Sequence, residues 1–390
     1  MRPVIIDLKV LHRGQGCIYL TLTAFAVSAN AVPPLLSTIA RDLALPPWTI
    51  GACITLQFSA FAAISFLGEK IRRRFDISLK TLITIGLVLV SLALLSAPLI
   101  LTGIASILPW ILVLGCAGGL VETSSSVLLA GPPGDESSKP LCLSQAFYAI
   151  GAFGAPVAAK ACMEGSGGWK VAFLLFGAFA LLVAILYILS YRGLAPDPSE
   201  PHPDARASRS AVGVALFFAA LIFVYVVAES LSGSWMPFML EELRGLDAPR
   251  AASLSSLFWL GMVLGRLAIV VLPKRLGMAP ALVAGSVAGA LCALLLGVGG
   301  QGATLVAFGF CMGPIWPVTV KVASAALGSA SRAGAVIATG GLGAAIGPLV
   351  GSLLVGEGLT RYYFCVLSAL CILVPCIVAA ALSAGKKGEA

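Results

Sequence analysis

Charge is what this chain has least of. Only 11% of its 390 residues are Asp, Glu, Lys or Arg, and only two are histidine, His12 and His202. Water-soluble globular chains carry about 25% charged residues, so a soluble enzyme or a disordered regulator is excluded. Both histidines lie in polar segments, which excludes a buried histidine proton relay. The ten cysteines fall within apolar stretches, with no C-x-x-C pair and none beside a histidine. They are expected to be small buried hydrophobes rather than a disulfide framework or a zinc site. There is no G-x-x-x-x-G-K-[ST], so no ATP-hydrolysing P-loop, and no H-E-x-x-H or G-x-S-x-G for hydrolysis. Neither an enzyme nor a cofactor is expected. The net charge of +8 is scattered between apolar blocks and forms no basic face, so nucleic acid is not an expected partner.

Apolar length is what the chain has most of. Hydrophobic residues make up 59% of it, and a membrane-spanning helix needs about 20 of them. Apolar runs stand near 17–40, 48–68, 79–100, 106–130, 141–163 and 169–191, then near 211–240, 250–272, 278–298, 302–327, 332–356 and 360–384. The expected fold is an all-α polytopic membrane protein with twelve transmembrane helices in two pseudo-symmetric six-helix bundles, 1–191 and 211–390. Residues 192–210, rich in proline and charge, read as a cytoplasmic linker. Ser28-Ala-Asn-Ala31 resembles a signal-peptidase site, but the apolar run continues to Ala40, so the segment is taken as the first span.

With alternate loops on opposite sides, Arg41, Lys160, Lys170, Arg244, Arg250 and Arg361 are outside and the other basic residues inside. That bias places both termini in the cytoplasm of a multi-pass protein of the cell's inner membrane. The halves also echo each other. Gly115-Cys-Ala-Gly-Gly119 parallels Gly309-Phe-Cys-Met-Gly313, and Gly151-Ala-Phe-Gly-Ala-Pro156 parallels Gly343-Ala-Ala-Ile-Gly-Pro348. Duplicated bundles typically hold a solute site between them near the bilayer midplane.

Of 17 acidic residues, Glu122 and Glu229 alone fall inside spans. A carboxyl in the hydrocarbon zone is a functional candidate by default, and no basic residue is expected at its depth, so a proton is the simplest compensating partner. Around these two stand Asn30, Gln57, Gln145 and Tyr148, whose amides and hydroxyl suit a hydroxylated ligand. Trp235, Trp259 and Trp316 offer flat apolar faces. Gly313-Pro-Ile-Trp-Pro317 is expected to break its helix, which is tolerated at membrane depth only where protein or a cavity covers it.

Two six-span halves with a basic segment after span 2, Gly68-Glu-Lys-Ile-Arg-Arg-Arg-Phe-Asp76, resemble the major facilitator superfamily. Gly115-Cys-Ala-Gly-Gly-Leu-Val-Glu-Thr-Ser-Ser-Ser126 with Leu141-Cys-Leu-Ser-Gln-Ala-Phe-Tyr-Ala-Ile-Gly-Ala152 is similar to spans 4 and 5 of its fucose/glucose/galactose permease family. Tyr225-Val-Val-Ala-Glu-Ser-Leu-Ser-Gly-Ser-Trp235, Gly261-Met-Val-Leu-Gly-Arg266 and Gly313-Pro-Ile-Trp-Pro317 agree. The resemblance implies a monomeric proton symporter of a sugar-like solute, with Glu122 the coupling carboxyl and Gln145 a sugar contact. Tyr148 stands where fucose-transporting members carry an asparagine. They also carry an acid shortly after the asparagine that matches Asn30, where this chain has Pro34. The coupling implied here therefore rests on Glu122, and L-fucose is not the implied solute. The alternative within the superfamily is a proton-coupled exporter of drugs or metabolites.

Overall fold

A computed structural model describes residues 15–46, 48–130, 139–190, 209–268, 278–300, 302–319, 323 and 330–356. The helices are α1 (Gln15–Asp42), α2 (Trp48–Phe75), α3 (Leu79–Ile100), α4 (Ile104–Ala130), α5 (Lys139–Glu164), α6 (Gly168–Ser190), α7 (Arg209–Arg244), α8 (Ala248–Ala268), α9 (Met278–Val298), α10 (Gly302–Met312) and α11 (Ala330–Gly356). They fall on the first eleven expected spans. The twelfth span, most of the linker and both chain ends lie outside the described residues. Among the described residues there is no strand. In lipid each backbone N–H and C=O must be paired within the protein, and a helix does this inside one segment.

Helix ends depart from the apolar runs for local reasons. α2 continues to Phe75 because Lys70, Arg72 and Arg74 are good helix formers that carry the helix out into water. α7 stops where Gly245, at φ +61°, takes the left-handed conformation that ends a helix and bonds back to the Glu241 carbonyl at 2.9 Å. α3 is capped by the Ser78 hydroxyl, which accepts from the Thr81 N–H at 3.1 Å. α10 ends at Met312, and after a turn at Gly313-Pro314 helix resumes over 315–319. The expected break is therefore present.

The duplicated glycines do equivalent work in the two halves. Gly115 and Gly119 lay α4 against the Gln57 and Phe61 carbonyls of α2, and Gly309 and Gly313 lay α10 against the Phe258 and Met262 carbonyls of α8. Likewise Gly151 sets α5 on the Thr23 carbonyl of α1, while Gly343 and Gly347 set α11 on the Phe223 and Val227 carbonyls of α7. A side chain at these places would separate the helices. Association in lipid lacks a hydrophobic drive and depends on such close approach.

The first half packs α1 against α4, α5 and α6, with α2 and α3 on α4. The second packs α7 on α11 and α8 on α10. The halves meet along α5–α8, α2–α11 and α1–α7. α1, whose Ala26, Ala31, Val32, Leu35 and Ile39 are fully buried, runs unbroken through the region resembling a cleavage site. Of the cysteines with described side chains, Cys53 is buried, while Cys17, Cys116, Cys162, Cys292 and Cys311 are half-buried, and all are unbridged.

Candidate solute and coupling site

The site is assembled from α1, α4, α5, α7 and α8. On α1, Asn30 is 7% exposed, and its Nδ2 donates to the Ala26 carbonyl at 2.9 Å and to the Tyr148 hydroxyl at 3.3 Å. The Tyr148 ring, on α5, meets Trp259 of α8 edge-on at 6.0 Å between centroids. It also lies 5.7 Å from Phe25, which stacks on Phe61 of α2 at 5.5 Å. Trp259 lies flush on Gly233 of α7, where a Cβ would meet its ring. Aromatic surface thus runs from α2 through α1 and α5 into the second half.

Beside it lies an ion pair. Arg266 Nη2 donates to Glu229 Oε1 at 2.9 Å, with the two side chains only 4% and 14% exposed. Arg266 Nη1 donates to the Gln145 main-chain carbonyl at 2.9 Å. Its Nε–H is buried and meets no acceptor among the described residues. The expectation that no basic residue reaches the depth of either glutamate is therefore corrected for Glu229. Alternate-loop counting assigns Arg266 to the cytoplasmic side, although it stands inside the apolar run 250–272. A desolvated guanidinium is tolerated there because Glu229, distant in sequence, supplies the opposite charge. Tyr225 also lies at the Glu229 carboxyl, and its hydroxyl donates to the Met312 carbonyl at 3.1 Å.

Glu122, on α4, is half-buried and has no ion-pair or hydrogen-bond partner among the described residues. Its neighbour Thr123 donates to the Ser65 hydroxyl of α2 at 3.0 Å, and Ser125 pairs with Thr21 of α1 at 2.9 Å. Glu122, Glu229 and Arg266 all lie within electrostatic reach of the Tyr148 hydroxyl.

The structure gathers Asn30, Tyr148, Trp259, Glu229 and the Gln145 backbone into one contact group. Gln57 instead lines a cavity of about 10 Å³ with Phe25, Ser28, Phe58, Phe61 and Leu114, room for about one water. Its buried Oε1 has no protein partner among the described residues. Trp235 is 1% exposed and its Nε1 donates to the Pro348 carbonyl of α11 at 3.1 Å. Its indole is committed to helix packing, away from this group. Trp316 follows the break in α10 and is half-buried.

At the end where α1 closes and α2 opens, the halves are in contact. Ser37 of α1 donates to Glu241 Oε1 of α7 at 3.2 Å, and Gly51 of α2 abuts Ser352 of α11.

A family model described as Major Facilitator Superfamily matches residues 18–337. Comparison with curated proteins finds no match. Among solved structures, a major facilitator transporter, FucP, in the outward conformation superposes with a TM-score of 0.63 at 19% identity, covering 94% of this chain and 98% of that one. A structure of the E. coli fucose:proton symporter gives 0.61 at 19% identity with the same coverages. A bacterial homologue of the human lysosomal transporter Spinster, inward-facing and unoccupied, gives 0.64 at 14% identity over 95% and 96% of the two chains. With eleven helices among the described residues, packed as two like halves, and a family match over most of its length, the chain is a multi-pass membrane protein of the transporter type and belongs to the major facilitator superfamily.

Proposed function

We propose that the protein is a secondary transporter that moves a sugar or sugar-like solute together with protons by alternating access. The observation that supports this best is the contrast between the two intramembrane carboxyls. Glu229 has Arg266 as its counter-charge, whereas Glu122 has no cation or donor among the described residues. Burial of an unpaired carboxylate is compensated by binding a proton, so Glu122 is the proton carrier and Glu229 belongs to a neutral pair. Asn30, Gln145 and Tyr148 supply donors and acceptors for sugar hydroxyls, and Trp259, Trp316 and the Phe25–Phe61 stack supply faces for the apolar side of the ring. Gln57 extends this polar lining. The protein acts as a monomer in the cell's inner membrane with both termini in the cytoplasm, the orientation favoured by its basic residues.

A thermal-shift screen of the purified protein against monosaccharides and polyols tests the solute class. A true ligand raises the unfolding temperature with concentration, by mass action on the folded state, while a flat response to every sugar contradicts it. Export of amphipathic compounds is the second reading, favoured by the aromatic run from Phe61 through Phe25 and Tyr148 to Trp259. Resistance conferred on overexpressing cells would decide for it.

A further inference from the structure

Arg266 belongs to the second half of the molecule, but one branch of its guanidinium ends in the first. We propose that Arg266 is a positioning residue that registers α8 on α5. Held by Glu229 within its own half, it grips the Gln145 carbonyl of the other and thereby seats Tyr148 against Asn30 and Trp259.

Within the packed seam between these helices, two side-chain contacts stand out. Trp259 meets Tyr148 and Arg266 meets Gln145. Gln145 and Tyr148 are spaced i, i+3 and so share a face of α5. Trp259 and Arg266 are spaced i, i+7 and share a face of α8. Moving along α5 from Gln145 to Tyr148 corresponds to moving back along α8 from Arg266 to Trp259, so the contacts form an antiparallel pair of anchors. Tyr148 in turn accepts from Asn30 of α1. One arginine thus fixes the register on which the rest of the contact group depends.

The chemistry requires arginine in particular. Its planar fork satisfies a carboxylate with one nitrogen and a carbonyl with another, whereas lysine presents a single point charge. The arrangement is also reversible. A helix carbonyl has a second lone pair and accepts from Arg266 without losing its helical bond. When α5 and α8 part during alternating access, the buried charges stay together in one half, because Glu229 travels with Arg266. Of the two bonds the guanidinium makes, only that to Gln145 breaks. The inference needs the alternating-access fold alone and is independent of which solute is carried.

The test uses the full chain in nanodiscs, with spin labels at Phe75 of α2 and Leu216 of α7. These positions are 69% and 66% exposed, lie in opposite halves and stand towards the end of the molecule where α5 begins. Pulsed dipolar spectroscopy compares the wild type with Arg266→Lys and with the neutral double variant Glu229→Gln/Arg266→Gln, and thermal unfolding is recorded for each. Arg266→Lys keeps a charge for Glu229 but loses the second branch. The population of separated halves is expected to rise by about tenfold to a hundredfold, the worth of one charge-assisted hydrogen bond, with the unfolding temperature near that of the wild type. The double variant, which strands no charge, is expected to show the same shift. Unchanged distance distributions in a folded variant would overturn the proposal. Failure of both variants to fold would do so too, by assigning Arg266 to stability alone.

Discussion

Removing Glu229 should harm the protein more than removing Glu229 and Arg266 together. The perturbation is Glu229→Gln, which leaves a guanidinium whose side chain is 4% exposed without its counter-ion. Breaking a buried pair from one side costs about 3–5 kcal/mol, because the surviving charge stays desolvated. Arg266→Gln strands the carboxylate instead and also gives up the donor to the Gln145 carbonyl, so its loss lies in the same range. The double variant replaces both charges with amides able to bond each other and should be less damaged than either single variant. The resulting coupling then exceeds the larger single loss, at least about 3 kcal/mol, which is the upper end of what contacting residues show. The assay is unfolding in mixed micelles of increasing SDS fraction, followed by circular dichroism, for all four proteins. High salt should leave the result unchanged, since a buried pair is screened far less than a surface one. Single-variant losses that add to within about 0.5 kcal/mol in the double variant would refute the pairing.

Other substitutions test other parts of the account. Gly309→Ala and its counterpart Gly115→Ala should each destabilise by about 1–3 kcal/mol through overpacking against the facing carbonyls. Gly154→Ala, which meets nothing nearby, should be neutral or stabilising in the same unfolding assay. Trp235→Phe keeps a six-membered aromatic ring but loses the pyrrole ring and its bond to the Pro348 carbonyl in a buried site, at about 1–3 kcal/mol for the bond and the space left behind. Ser37→Ala removes a link between the halves at the α1–α2 end. It should increase labelling of introduced cysteines at that end by an impermeant thiol reagent, and an unchanged labelling rate would count against a sealing role.

The helices were legible in the sequence because lipid demands them, and among the described residues they fall on the first eleven runs of sufficient apolar length. The internal duplication was legible too, and the structure gives it a cause: the repeated glycines lie where α4 meets α2 and where α10 meets α8. Helix ends were less legible. The α2 extension to Phe75 continues in water, where apolarity is no guide and helix propensity takes over. The Arg266–Glu229 pair was missed because counting charges by side treats an arginine near a span's end as loop. Its position within the run 250–272 was the available signal, but its partner becomes visible only when α7 and α8 are packed. Trp235 looked like a ligand platform because a tryptophan in a span reads alike whether it lines a cavity or bonds a neighbouring helix. Gln145 entered the contact group through its backbone, which no side-chain pattern announces.

The central claim is that proton movement through Glu122 drives solute uptake. Its most direct measurement is sugar accumulation in proteoliposomes under an imposed pH gradient, comparing the wild type with Glu122→Gln, using the sugar that gives the largest thermal shift. The account predicts gradient-driven accumulation by the wild type. The variant should equilibrate and exchange the sugar but not concentrate it. Accumulation by Glu122→Gln at the wild-type level, or wild-type uptake indifferent to the gradient, would contradict it.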